Sequence, residues 1–587
     1  MKKQFIIATA LAAAGAASAV TNYWGGDITV STTWLAADTH IMTNRVAVLP
    51  GATLTIEPGT TITSDGGSLA IAAGAQINAA GTSNAPITFT SINDDFSTWR
   101  PVCQEWGSLA IMGEGIISSH VYKGNVMNGA DVNTPAAVGT HVRIMEGLVA
   151  VGDGREEYGG NNDDYDAGTL SYVSFRYGGQ VLEEASELNG LSLGGIGRET
   201  QIDHIEIMNN VDDGIEIWGG TVSMKYISIW NIGDDSLDCD QGWRGKVQHG
   251  LIVQGYSADA KQGSGVGDNC IEMDGSEDSD CEPHTTSTLY NFTVIGNHTK
   301  GDHGLALRDN VRLQVRNSIF MDIPDALIDE ELDGDGGSGW GYSAGSIVDG
   351  GGEYTPRTAL KTVPNMEDTY NIAFNANSFS NDLVRITDAG YAAADIYWAQ
   401  SDGYMNELTD TVLYNVQKGN HVDEIELFGY PGYDVVYADA LPITAYARGV
   451  EQSLFGGTLT CSPVIKLDPR AANDALVADS LPTNDGFFDQ VSYRGAFSAT
   501  ENWLEGWTAA DQYGFLGKAT AETAGISTGV LLNWSSVEGG FYQIESADDA
   551  GFTSNVVVEA TLNGTGEEMY FGDPALSASK FFRVTSF

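Results

Sequence analysis

His204-Ile-Glu-Ile-Met-Asn-Asn-Val-Asp-Asp-Gly-Ile-Glu-Ile-Trp-Gly-Gly220 and Tyr226-Ile-Ser-Ile-Trp-Asn-Ile-Gly-Asp-Asp-Ser-Leu-Asp-Cys-Asp-Gln-Gly242 superimpose at an offset of 22 residues. The β-branched residues, the Asp-Asp pair and the closing glycine fall in step. A period in the low twenties is that of stacked coils in a parallel β-solenoid. Alternation at Ile205, Ile207, Ile215 and Ile217 sends one set of side chains into the coil interior. The reading is an all-β chain, a parallel β-helix.

The repeat extends both ways. Upstream, Val46 to Ile62, Ser68 to Gly81 and Pro86 to Thr90 are short alternating strands ended by Pro-Gly or Gly, with no room for helices between them. Downstream, strands are expected at Leu170–Tyr177, Gly190–Ile196, Gln201–Met208, Gly214–Trp218, Val222–Trp230, Lys246–Gln254, Cys270–Met273, Leu289–Ile295, Leu305–Arg308 and Arg312–Phe320. The polar, Gly- and Asn-rich stretch Ile116 to Ala167 interrupts the strands and is expected to loop out and wall a groove.

The repeat spans about residues 20–323. Residues 324–518 continue it and cover it, with a helix-compatible segment at Ala392–Gln400. Ala519–Ser527 reads as a small-residue linker, and 528–587 holds five short strands, enough for a small antiparallel β-sandwich.

Residues 1–19 carry Lys2-Lys3, the apolar run Phe5 to Ala14 and Ala17-Ser18-Ala19, the layout of a secretory signal peptide, so the chain is expected outside the cytoplasm or at the cell surface. No later run is long and apolar enough to span a bilayer. The formal net charge of −51 excludes nucleic acid as a partner unless cations intervene. Of the five cysteines, Cys270 and Cys281 flank an acidic loop that a disulfide would close, and the odd count leaves at least one thiol unpaired. No spacing suggests zinc.

The segments from Tyr158-Gly-Gly through Gly168-Thr-Leu-Ser-Tyr-Val, Glu187-Leu-Asn-Gly-Leu-Ser-Leu-Gly-Gly-Ile-Gly, Asp212-Asp-Gly-Ile-Glu-Ile-Trp-Gly-Gly-Thr-Val and Tyr493-Arg-Gly-Ala-Phe497 resemble a family of exported bacterial right-handed parallel β-helix proteins. That family has no assigned reaction, so the resemblance implies a fold and no catalytic residue.

In such a coil Asp212, Asp213, Asp234 and Asp235, with Asp268 and Asp302, occupy one turn of successive rungs. Unit like charges about 4.8 Å apart repel by roughly 1 kcal/mol even in water, so something must offset the column. Turn N–H groups bonded to each carboxylate are one answer. Ca²⁺ is the other, with Asp212, Asp213, Asp234, Asp235, Asp238 and Asp240 as ligands and Asp329–Asp335 as a second loop.

A catalytic alternative exists. Asn210-Val-Asp-Asp-Gly, Gly233-Asp-Asp, His249-Gly250 and Arg308 are similar in order to the motifs of polygalacturonase-type glycoside hydrolases, which implies Asp213, Asp234, Asp235 and His249 as the centre. His249 follows Asp235 by less than a coil, and Arg308 is followed by Asp309-Asn310 rather than by the uronate-binding pattern. Lyase chemistry would use Arg244, Lys246 or Arg308, though such residues commonly pair with a solenoid's carboxylates. Trp218, Trp230 and Trp243 are candidates for stacking on sugars or for burial. The expected role is a Ca²⁺-binding, glycan-binding surface protein, with a polysaccharide hydrolase or lyase as the alternative.

Overall fold

In a computed structural model, the structure describes residues 19–118, 138–180, 188–255, 257, 267–276, 283–298, 301–330, 347–348, 354–355, 366–376, 390–400, 402–416, 427–454, 459–472, 477–517, 520–522, 525–527, 531–537, 540–547, 552–553, 555–563, 568–572 and 581–586. The signal-peptide reading, Cys281 and most of the Asp329–Asp335 loop lie outside these residues.

Strands from Thr21–Ile28 to Tyr433–Tyr437 join one 24-stranded sheet. Successive coils pair in parallel: Ile205 lies beside Ile227 and Ile215 beside Leu237, the 22-residue offset of the sequence. Ile205, Ile207, Ile215, Ile217, Ile227, Ile229, Leu237 and Cys239 point into a continuous apolar interior. With every rung hydrogen-bonded above and below, only the ends of the stack are bare edges.

In the coils from Gly168 to Ile295 the long strand is bent. Gln201–Asn210 turns at His204, whose φ is +51°, and the pairing skips that residue on both sides. Tyr172, Tyr226, His249 and Asn291 hold the same left-handed corner on neighbouring rungs. Such a conformation costs a non-glycine residue about 1–3 kcal/mol. Stacking offsets it: ring centroids lie 4.0 Å apart for Tyr172 and His204, 4.4 Å for His204 and Tyr226, and 4.6 Å for Tyr226 and His249. Each coil therefore has three straight sides, and the corner carrying the rings is distinct from the Asp-Asp turn.

The sides are covered differently. Arg143–Ile144 pairs antiparallel with Glu157–Tyr158, and this insertion packs Met145, Leu148 and Tyr158 onto Ala70, Ala110, Met112 and Trp218. The described residues of 443–516 run back along a second side, where Ile443, Leu467, Phe497, Leu504 and Phe515 cover Met208, Trp230, Leu251, Ile295 and Met321. These described residues thus cover the coils along their side. A short helix, Ala393–Ile396, falls inside the helix-compatible segment.

At the C-terminus a four-stranded and a three-stranded antiparallel sheet share a core of Trp534, Tyr542, Ile544 and Val584. The stretch read as a linker contributes Thr520–Glu522 to one sheet and Gly525–Ser527 to the other. Its small residues suit edge strands as well as they suit a linker. Cys239, Cys270 and Cys461 are buried thiols that form no disulfide, and Cys103 is buried too. Cys270 points into the coil interior as a free thiol, and Cys281, its expected partner, lies outside the described residues.

Candidate acidic cleft

The aspartates sit where the second side of each coil turns into the third. Gly190, Gly214 and Ser236 N–H donate to the Asp213, Asp235 and Asn269 carbonyls, and Asp268 and Asp302 N–H to the Asp234 and Asp268 carbonyls, so the turns stack in register. Side chains add a second ladder. Asn189 Oδ1 accepts the Asp213 N–H at 3.1 Å, Asp213 Oδ1 the Asp235 N–H at 2.9 Å, Asp235 Oδ1 the Asn269 N–H at 2.6 Å, and Asn269 Oδ1 the His303 N–H at 3.4 Å. Each carboxylate on this column spends one oxygen on the backbone of the next rung.

The third side continues the acidity. Ile215–Trp218, Leu237–Asp240 and Ile271–Asp274 stack so that Glu216, Asp238 and Glu272 line up facing outward, with Asp240 beside Trp218. Carboxylate oxygens gather within 4.8 Å of one another in three groups on these rungs: Asp212, Asp213 and Asp234; Asp213, Glu216 and Asp238; Asp234, Asp235 and Asp268. Asp302, His303 and Asp325 form another group. Burial, with neighbouring carboxylates adding to it, pushes the proton affinity of Asp213, Glu216, Asp235 and Asp238 well above the usual carboxylate range. Burial likewise raises Glu272 to about 7. Asp238 Oδ1 is buried and has no hydrogen-bond partner.

Between this face and the insertion lies a cleft of about 540 Å³, lined by Arg143, Glu146, Tyr158, Glu216, Trp218, Asp238, Asp240, Asp274 and Arg308. Tyr158 reaches under it to Gln241 Oε1 at 3.0 Å. Arg308 binds Asp274 through Nε and Nη2, each at 2.7 Å, and Glu272 at 2.5 Å. Burial works against its charge, but Asp274 and Glu272 outweigh burial and hold the guanidinium protonated.

All six predicted metal ligands lie on the turn and third side: Asp212, Asp213, Asp234 and Asp235 on the stacked turns, Asp238 and Asp240 on the adjoining strand. His249 is not brought to them. It lies on the ring-bearing corner, stacked on Tyr226 and 3.5 Å from Asp489, and burial lowers its proton affinity. Arg244 pairs with Asp163, and Lys246 with Asp485. Trp243 is packed in the interior and Trp230 under the covering segment, while Trp218 borders the cleft against Tyr158. Sequence reasoning missed Glu216, Glu272, Asp274 and Tyr158. The repeat contained the signal for the first, since the 22-residue offset sets Glu216 opposite Asp238.

Residues 26–401 match a family model described as a pectate-lyase like beta helix domain. No curated protein matches the chain. A domain of this type fits a polysaccharide-related protein. With more than half of its length inside that match and the stacked parallel coils to go with it, the chain belongs to the pectate-lyase-like β-helix family.

Proposed function

We propose that the protein is exported and acts at the cell surface or in the extracellular matrix as a non-enzymatic β-helix protein whose acidic cleft binds Ca²⁺ and a glycan. The observation that carries this reading is the convergence of carboxylates from successive rungs within 4.8 Å of one another, with a buried Asp238 oxygen that no donor meets. An all-oxygen donor set of this charge suits a hard divalent cation that takes 6–8 oxygens. Asp212, Asp213, Asp234, Asp235, Asp238 and Asp240 would hold it, with Glu216 added. When bound, Ca²⁺ would supply the positive charge that lets so many buried carboxylates stay ionised. It would also let the cleft take sugar oxygens without repulsion. Tyr158 and Trp218 form the apolar wall for the glycan.

The competing reading, a polysaccharide hydrolase or lyase, draws on the raised proton affinity of Glu272 and Asp238 beside the cleft, as a general acid requires. It lacks His249, and Arg308 as a base would have to leave two carboxylates. The test is retention on a polysaccharide panel in Ca²⁺ and in EDTA, beside reducing-end and unsaturated-uronate assays. Retention in Ca²⁺ alone, without turnover, is expected. Turnover abolished by Asp234→Asn and Asp235→Asn with folding intact would overturn the non-enzymatic reading.

A further inference from the structure

A second cavity, of about 320 Å³, opens at the ring-bearing corner, away from the acidic turns. Tyr172, His204 and Tyr226 line it from the coil side, and Tyr493, Glu501, Trp503 and Glu505 from the covering segment. His204 is sandwiched between Tyr172 and Tyr226, and Tyr226 between His204 and His249, so these two show the cavity their edges. Trp503 stands across them at 87° to His204 and 73° to Tyr226, its far face stacked on Phe497 at 4.9 Å.

Tyr172 ends the stack. On the rung below, Ser171 lies beside Ala80 and Val173 beside Ile87, so the stretch opposite Tyr172 is Gly81-Thr-Ser-Asn-Ala-Pro86, which has no aromatic ring. Ser83 from that stretch lines the cavity instead. The face of Tyr172 turned from His204 therefore meets no aromatic ring from below.

The polar lining is one-sided. It offers hydroxyls from tyrosines and serines, that of Tyr226 already bonded to Asp489, the Asn502 side chain and the carboxylates of the exposed Glu501 and Glu505; the lining holds no lysine or arginine, and Arg470 acts on Glu505 from outside it. Carboxylates with no lysine or arginine among the lining residues select against anions and for a protonated amine. Trp507 stands beside the Tyr172 ring at 80° with centroids 5.5 Å apart, and the hydroxyls with a tyrosine face on which no aromatic ring stacks suit a saccharide ring better than a flexible aliphatic chain. The volume falls at the small end of ligand sites.

We propose that this corner pocket binds an amino sugar, its ring against Tyr172 and its ammonium group met by Glu501 and Glu505. The site is separate from the acidic cleft and does not rest on it.

The test is calorimetric titration of the full chain in EDTA with a glucosamine tetramer, its fully N-acetylated counterpart and tetralysine. Saturable binding of the glucosamine tetramer is expected, at least about tenfold tighter than either of the others. Glu501 and Glu505 are exposed, so E501Q/E505Q leaves the fold intact. It should weaken binding about fivefold to tenfold, in keeping with two rim ion pairs, and Tyr172→Ala should weaken it further. The proposal is overturned by absence of saturable binding, by equal affinity for the acetylated tetramer or for tetralysine, or by an unchanged affinity in E501Q/E505Q. Because EDTA strips the acidic cleft, binding or its absence here leaves the calcium reading to its own test.

Discussion

Asp213 and Asp235 do two things that pull against each other. One oxygen of each closes the side-chain ladder by accepting an N–H of the next rung, while the charge is held in a buried cluster that disfavours it. Asn189 and Asn269 occupy the same ladder without charge. Asp213→Asn is therefore expected to keep the acceptor and leave stability in EDTA unchanged or raised. Asp213→Ala strands the buried Asp235 N–H and should cost about 1–3 kcal/mol. Urea unfolding in EDTA separates the two.

Glu272 gives the same conflict a pH dependence. Its proton affinity is raised in the folded chain from 4.5 to about 7, so the folded state holds a proton that the unfolded chain releases. Its contribution is complete below pH 4.5 and is lost as pH rises towards 7. Melting temperature in EDTA should fall across that window, and saturating Ca²⁺ should flatten the fall. A flat profile in EDTA would mean that the cluster is better solvated than its burial implies.

At the scale of elements, the straight parts of the coil were legible and the bends were not. Leu305–Arg308 runs as the sequence indicates, and Gln201–Asn210 extends its expected strand by two residues. The corner at His204 left no glycine to mark it, because stacked rings stabilise the left-handed backbone there. That is why His249, close to Asp235 in sequence, belongs to a different corner. The path of residues 443–516 was equally hidden: the outward apolar residues Met208, Trp230, Leu251 and Ile295 lie on four rungs, and only the fold shows that one segment covers them all. Trp230 packs against Phe515 with centroids 5.6 Å apart. Trp230→Ala should cost about 3–5 kcal/mol, read as a lower denaturant midpoint, with the coil's far-ultraviolet signature retained below the transition.

Across the whole molecule, the family and the fold agree, and the acidity is concentrated on one side of the coils. The outward positions Ala70, Ala110, Ser192, Glu216, Asp238 and Glu272 follow one another up the third side. The insertion sits on the small apolar residues of the lower rungs and leaves the acidic upper rungs facing the cleft. The Asp-Asp repeat made the column readable from sequence; the partnering of each carboxylate depends on which rung lies next, and that is fixed by the stack.

The most direct measurement is the thermal melt of the wild-type chain and of Asp213→Asn/Asp238→Asn in millimolar Ca²⁺ and in EDTA. Ca²⁺ at 100 times its dissociation constant adds about 2.7 kcal/mol to the folded state, so the wild-type melting temperature should rise in Ca²⁺ and the double variant's should not. A wild-type melting temperature identical in Ca²⁺ and EDTA would contradict the account.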